Sequence, residues 1–500
     1  MTTRRRMRVG VYESGWPARV TPVVWVLALL VGVWGGMGAR AGASVQPEEE
    51  ARGGIYLVDV PDTHAGRQLR WAIDTLSDDA PVEEGEVVAR FSEEFRAQVP
   101  PLVFVRIVAQ VRAQMFSGGR VELRSFDGEP AEDRLVAVAA ARGSDPVRIF
   151  VETDPGTGVM TGLLMQPAPD LALPETKTWD DFDALLSVVP GRVSFAAMEL
   201  VSNDVDPAVG QRVPSLALRG VHGFGHQDRL AIGSTFKLWV LVALMEEIRS
   251  GEASWDDMIA IRDELKSLPS GDMQGLGAGE ERTLLQFATK MISISDNTAT
   301  DHLIAHLGRE RVERAMLRLH GAPELNRPFL TTKEMFQIKL SGDDELVSAW
   351  GAASEDERRA MLAPGGRVAS REPSLALAAF WTKPRGINEA EWFASAFECC
   401  RAMAELRTIE LSMPEGAARD GLSQVLRTNP GMAFDAEAWR SVGYKGGSEP
   451  GVLSLTWLLE RNDGRWFCLS LGVNDVEANP RLDSVLALAS RAAGLLARTE

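Results

Sequence analysis

A serine and a lysine three positions apart are the first candidates for chemistry in this 500-residue chain. Ser234 and Lys237 precede the apolar run 238–245, which predicts a buried helix. A serine in the first helical turn lies beside free backbone N–H groups, and a lysine three positions later lies on the same face. Burial disfavours the ammonium, so Lys237 is a candidate base for the Ser234 hydroxyl. Alone, the pair is more typical of a capping serine beside a solvated lysine.

A second polar segment, Ser295-Asp296-Asn297, lies between two apolar helical stretches. The Ser295 hydroxyl can relay a proton between a nucleophile or leaving group and a lysine, and the Asn297 amide can hold a substrate carbonyl. A cap for the following helix is the alternative, because Ser295 and Asp296 are both capping residues.

A third segment, Lys445-Gly446-Gly447-Ser448, comes just before an apolar strand that begins near 452. Two glycines on an edge strand leave the backbone open to a substrate, and the lysine ammonium is available for a carboxylate. Taken by itself the segment indicates a hairpin turn.

In this order, the three segments resemble the motif set of the class A β-lactamases and penicillin-binding proteins, across about 300 C-terminal residues. The resemblance implies an acylated nucleophile, its base and a proton shuttle, which are Ser234, Lys237 and Ser295. It implies substrate-binding roles for Asn297, Lys445, Gly447 and Ser448. The backbone N–H groups of Ser234 and Ser448 would form the oxyanion hole.

The chain departs from this family in two places that bear on hydrolysis. Gly446 stands where the family usually has a threonine or serine, which removes a hydroxyl from the carboxylate-binding site. The family's β-lactamases deacylate with a glutamate after the second motif, but aligning the Leu-Asn pair of 322–326 puts Ala322 at that position. Three carboxylates remain as substitutes, namely Glu324, Glu334 and Glu449. The long stretch 341–392 is interpreted as containing an insertion, whose segments 342–345 and 365–366 could form a rim over the site.

The hydrophobic pattern predicts two domains. Helices at 66–76, 87–97 and 102–115 precede strands at 121–126, 134–141, 147–152 and 159–165, which predicts a small α+β domain over 53–167 with helices on an antiparallel sheet. A proline-rich break and a short helix form a linker over 168–190. In 191–500, strands at both ends enclose a helical middle, which predicts an antiparallel sheet flanked by helices, the β-lactamase/transpeptidase-like arrangement.

This two-domain order resembles serine hydrolases in which a cystatin- or NTF2-like (steroid-isomerase-like) domain precedes a β-lactamase-like domain. The group includes a cephalosporin esterase of the clavulanic acid gene cluster. Segments 328–336 and 445–451 carry the resemblance, which implies acyl-ester chemistry without efficient lactam hydrolysis. Because Tyr56 is the only tyrosine between 48 and 190, we interpret the first domain as structural or substrate-shaping and not as an isomerase.

The N-terminus carries an arginine-rich start, an apolar run over 20–34 and the small residues 41–43. This pattern predicts a signal peptide over 1–43 and export to the periplasm or the extracellular space. An uncleaved signal segment is the alternative and the only membrane contact predicted. Cys399, Cys400 and Cys468 allow at most one internal disulfide, and buried inert thiols are the favoured interpretation.

Composition excludes some function classes. A net charge of -17 argues against a nucleic-acid partner. The pairs His222/His226 and His302/His306 lack an obvious third ligand, so neither a metal nor another cofactor is predicted. The predicted function is a serine acyl-enzyme hydrolase for small-molecule β-lactams or related esters and amides. The alternatives are a D-alanyl-D-alanine peptidase-like enzyme and a catalytically silent module that binds β-lactams or cell-wall peptide.

Overall fold

A computed structural model describes residues 53–499, apart from a few short gaps. The gaps are 79, 81, 117–118, 143, 145, 169–172, 175, 203–215, 268 and 374–380. The chain divides into two compact units, Met1–Glu175 and Thr176–Glu500. The predicted signal peptide lies outside the described residues. Among the helices that are described, none has both the length and the apolar character needed to cross a membrane.

In its described residues, the first unit combines four helices with a five-stranded sheet. The helices are α1 (His64–Ser77), α2 (Glu84–Arg90), α3 (Glu93–Gln98) and α4 (Pro101–Met115). The strands, in spatial order, are β1 (Ile55–Tyr56), β2 (Val121–Phe126), β3 (Arg134–Ala141), β4 (Val147–Thr153) and β5 (Met160–Pro167). β1 pairs with β2 in parallel and the other neighbours are antiparallel. The predicted α+β composition is confirmed, with β1 as an unpredicted fifth strand.

The prediction of one continuous helix over 87–97 is wrong, because the structure has two helices there, α2 and α3. Phe91 leaves the helical path and forms a parallel bridge with Met160. The Ser92 N–H then donates to the Met160 carbonyl at 2.9 Å, and its hydroxyl accepts the Phe95 N–H at 3.2 Å, which starts α3. Phe91 is buried and stacks on Phe95, so the break places an aromatic side chain in the core.

The second unit is built on an antiparallel sheet. Its spatial order is β12, β13, β14, β6 and β7, and these strands are Trp439–Glu449, Val452–Arg461, Trp466–Asn474, Arg192–Ser202 and Leu216–Phe224. Two short antiparallel pairs complete the strands, β8 (Leu230–Ala231) with β11 (Phe393–Ala394) and β9 (Met258–Ala260) with β10 (Glu281–Thr283). Strands from both ends of this unit therefore meet in one sheet, as predicted.

Helices flank this sheet. In chain order they are α5 (Trp179–Leu186), α6 (Lys237–Ser250), α7 (Leu284–Ser293), α8 (Asn297–Leu307), α9 (Arg309–Leu317), α10 (Thr332–Leu340), α11 (Asp344–Ala352), α12 (Glu355–Leu362), α13 (Ala396–Ser412), α14 (Ala417–Arg427) and α15 (Leu482–Ala497). α13 packs on the sheet, and α6 packs on α13, α8 and α9. Residues 237–245 of α6 are all buried, which confirms the predicted buried helix.

The three cysteines are buried free thiols. Cys468 donates weakly to the Cys400 carbonyl at 3.6 Å. Burial raises the pKa of the Cys399 thiol above its ordinary value, so little thiolate is available to react.

Candidate active site

Ser234 lies in a 3₁₀ turn, Gly233–Phe236, that runs directly into α6. The end of β12 approaches this turn so closely that a β-carbon at Gly447 would lie 2.5 Å from the Ser234 nitrogen. A β-carbon at Gly233 would lie 3.2 Å from the Ser448 nitrogen. Glycine at both positions therefore lets the backbone of the Ser234 turn and the end of β12 approach closely.

Neighbouring residues hold the Ser234 turn in place. The Thr235 hydroxyl donates to the Ser454 carbonyl on β13 at 3.1 Å. The Ile232 N–H donates to the Trp392 carbonyl at 2.9 Å, and the Trp392 ring stacks on Phe236 with centroids 3.7 Å apart. The turn is thus fixed on both sides of the serine.

Lys237 is fully buried and reaches the second motif. Its Nζ donates to the Ser295 carbonyl at 2.6 Å, to Ser295 Oγ at 3.1 Å and to Asn297 Oδ1 at 2.8 Å. Burial, and after it the nearby charge of Lys445, lowers the pKa of Lys237 well below its ordinary value. A neutral amine is therefore accessible at this position.

Lys445 reaches the same hydroxyl from β12. Its Nζ lies 3.0 Å from Ser295 Oγ and also donates to the Gly446 carbonyl. Burial lowers the pKa of Lys445 to about 7. Ser295 Oγ thus lies between two lysine nitrogens, and a hydroxyl can donate to a neutral amine while accepting from an ammonium.

The turn before α8 positions Ser295, which adopts a positive φ of 60°. Asp296 is buried and caps α8 by accepting the Ala299 N–H at 2.7 Å. Its second oxygen accepts the N–H groups of Asp272 at 2.7 Å and Met273 at 2.8 Å. The helix-cap alternative therefore applies to Asp296, while Ser295 faces the lysines.

Asp301 is a residue of this region that the sequence analysis missed. It lies one turn after Asn297 on α8, is buried, and accepts the backbone N–H groups of Thr332 at 2.8 Å and Lys333 at 2.9 Å. Burial raises its pKa to about 7, and its charge favours the ammonium form of Lys237. Its position four residues after Asn297 was the signal available in the sequence.

Each of the three carboxylates that could replace the deacylating glutamate is either exposed or bound to another side chain. Glu324 is exposed on the turn Pro323–Asn326. Glu334 pairs with Arg309 at 2.6 Å and caps α10. Glu449 is bound to buried Lys339. Within the described residues, none of these carboxylates bonds to the Ser234, Lys237 or Ser295 group.

One histidine of each pair is engaged in contacts within the fold. His302 contacts the Thr298 carbonyl through Nδ1 at 2.7 Å and accepts the Arg262 N–H through Nε2 at 2.9 Å. His222 stacks on Trp179 and lies 2.7 Å from Asp183. In the part of the chain that the structure describes, no group of three or more possible ligands is arranged to hold a metal.

The segment that carries the first two motifs is similar to a known protein family. Residues 202–361 match the β-lactamase enzyme family. The second unit, which contains these residues, is a serine hydrolase. Residues 60–118 match a second family model, described as the N-terminal part of the ORF 12 gene product. No curated protein sequence matches the chain.

Solved structures similar to this chain include a β-lactamase from Sphaerobacter thermophilus, with 19% identity over 64% of this chain and 97% of that chain, at a TM-score of 0.40. PBP-A has 16% identity over 65% of this chain and 98% of its own, also at 0.40. A β-lactamase from Chitinophaga pinensis has 14% identity over 64% and 97% of the two chains, at 0.41.

Proposed function

We propose that the second unit forms an acyl-enzyme at Ser234 with β-lactams or related esters and amides, and then hydrolyses it. The observation that carries this proposal is Ser295 Oγ, which lies 3.1 Å from the Lys237 Nζ and 3.0 Å from the Lys445 Nζ. Two buried amines around one hydroxyl form a route along which a proton can pass from a nucleophile to a leaving group.

In acylation, Ser234 Oγ attacks the substrate carbonyl carbon and transfers its proton to neutral Lys237. The carbonyl oxygen becomes an oxyanion, which the N–H groups of Ser234 and Ser448 stabilise; one such donor contributes about 10²- to 10³-fold in rate. When the carbon–nitrogen or carbon–oxygen bond breaks, the leaving atom takes a proton from Ser295, which is reprotonated by a lysine ammonium. The product of this step is an ester on Ser234.

Asn297, Lys445, Gly447 and Ser448 are proposed to bind the substrate. The Lys445 ammonium attracts a substrate carboxylate, and the exposed Ser448 side chain supplies a hydroxyl near the position where Gly446 has none. Gly447 lets the strand lie beside the nucleophile turn.

A second candidate property is slow hydrolysis of the acyl-enzyme. It is favoured because two of the three candidate carboxylates are bound to other side chains. Glu334 and Glu449 are held by Arg309 and Lys339, and Glu324 is exposed. A long-lived acyl-enzyme is shared by D-alanyl-D-alanine peptidase-like enzymes and by β-lactam sensors, whereas an esterase would turn over an activated ester. The predicted signal segment leads us to propose that this chemistry takes place in the periplasm or outside the cell.

Intact mass spectrometry of the purified protein with a chromogenic cephalosporin, and separately with an activated phenyl ester, tests the proposal. We expect a mass increase equal to the acyl group, and peptide mapping should place it on Ser234. Clearance of the adduct as product accumulates would indicate a hydrolase, and persistence would indicate the peptidase-like or sensor alternative. An adduct on another residue, or none with either compound, contradicts the proposal.

The pH dependence of acylation follows from the two lysines. The second-order rate constant should rise with pH as Lys237 loses its proton through its lowered pKa. For a penicillin, which carries a carboxylate, it should fall again above about pH 7, because Lys445 then loses its ammonium. A neutral ester is the matched control and should show the rising limb alone. An equal falling limb for both compounds would show that Lys445 does not bind the carboxylate.

A further inference from the structure

A buried cluster of one lysine and two glutamates lies beside the third motif and is outside the proposed chemistry. Lys339 on α10 donates to Glu391 at 2.6 Å and also to Glu449, the last residue of β12. The side chains of Lys339, Glu391 and Glu449 are 0%, 0% and 5% exposed. The Lys339 ammonium also lies 5.7 Å from the centre of the Trp381 ring.

The cluster holds one ammonium and two carboxyl groups. Burial alone would lower the pKa of Lys339, but Glu391 and Glu449 raise it above the ordinary value. Burial and the neighbouring Glu391 raise the pKa of Glu449 well above its usual range. The raised pKa favours a proton within this pair of carboxyl groups, and a pair that holds one proton leaves one carboxylate to balance one ammonium.

One glutamate follows a candidate oxyanion donor, and the other lies in the segment that supports the turn of the second donor. Glu449 directly follows Ser448. Glu391 directly precedes Trp392, which accepts the Ile232 N–H and stacks on Phe236, on either side of Ser234. Lys339 thus joins the end of β12 to the support of the nucleophile turn.

We propose that Lys339, held between Glu391 and Glu449, is a positioning residue that sets the separation of the Ser234 turn and the end of β12, and thereby the acylation rate; this inference rests on the proposed function. A buried ionic cluster can be replaced by apolar groups with little loss of stability, so its presence is better explained by the geometry it specifies. A displacement of about 1 Å in an active site can cost about 100-fold in rate.

Two substitutions at Glu449 test its bond to Lys339, called the tether, separately from the charge and the volume of the Glu449 side chain. Glu449→Gln resembles the protonated carboxyl and still accepts from Lys339, whereas Glu449→Leu has a similar size and cannot. Both leave Lys339 paired with Glu391. With a penicillin, we expect Glu449→Gln to acylate within about 3-fold of the unsubstituted protein. Glu449→Leu should acylate about 10- to 100-fold more slowly, and this fall in the rate constant should exceed any change in the dissociation constant of the non-covalent complex.

Rapid-mixing mass spectrometry at several penicillin concentrations separates the acylation rate constant from that dissociation constant. Equal rate constants in the two variants would overturn the inference, because the tether would then have no effect. If Glu449→Leu does not fold, the triple variant Lys339→Met/Glu391→Gln/Glu449→Gln provides an uncharged cluster without the lysine. Acylation of this variant at the unsubstituted rate would also overturn the inference about Lys339. An unsubstituted protein that forms no Ser234 adduct would refute the proposed function and this inference together.

Discussion

Lys237→Met is expected to slow acylation of Ser234 by about 10²- to 10⁴-fold, the range of a general base. Methionine has a similar length and an apolar end, so it suits a side chain that is fully buried. It cannot accept a proton from the serine hydroxyl at neutral pH. The rate constant for adduct formation with a chromogenic cephalosporin measures the effect, and the rising limb of its pH profile should disappear.

Two controls accompany this substitution. Ser234→Ala should form no adduct at all. Lys290→Met removes a partly exposed lysine that pairs with Asp272 at 2.5 Å, and it should acylate at the unsubstituted rate. Acylation by Lys237→Met at an undiminished rate would show that another group takes the serine proton.

Asp296→Ala should lower the free energy of unfolding by about 3–5 kcal/mol. The substitution removes a helix N-cap, which contributes about 1–2 kcal/mol, and leaves the buried Met273 N–H and the part-buried Asp272 N–H without their carboxylate partner. Each unsatisfied buried donor costs about 1–3 kcal/mol. Urea denaturation measures the loss as a lower midpoint at an unchanged slope.

Asp343→Ala is the matched control for this prediction. Asp343 also caps a helix, α11, by accepting the Leu346 N–H at 3.0 Å, but its carboxylate otherwise pairs with partly exposed arginines. Its loss should lower the free energy of unfolding by clearly less than the loss of Asp296 does. Equal losses in the two variants would mean that the turn around Asp296 contributes no more than an ordinary cap.

Local patterns in the sequence were sufficient for much of the fold. The unbroken apolar run after Lys237 predicted a buried helix because α6 has no solvent-facing side in this stretch. Alternation and turn residues located β2 to β5 to within a few residues. The break at Phe91 escaped detection, since the pairing partner that pulls this residue from the helix, Met160, is far away in the chain.

The order of the three motifs also indicated which residues to examine together. That Ser295 contacts two lysines follows from a positive φ at Ser295 and from the path of β12. Neither property can be read from residue types. Composition likewise could not show that Lys339 is buried, because lysines are usually exposed.

By itself, the sequence determined the elements, the order of the motifs and the kind of chemistry that serine, lysine and asparagine side chains can perform. The tertiary structure decided which charges share a site. Glu334 pairs with Arg309, Glu449 pairs with Lys339, and Ser295 contacts both Lys237 and Lys445. The physical reason is that hydrophobic periodicity records whether a side chain is buried, whereas the partner of a buried charge is chosen by segments that meet only after folding.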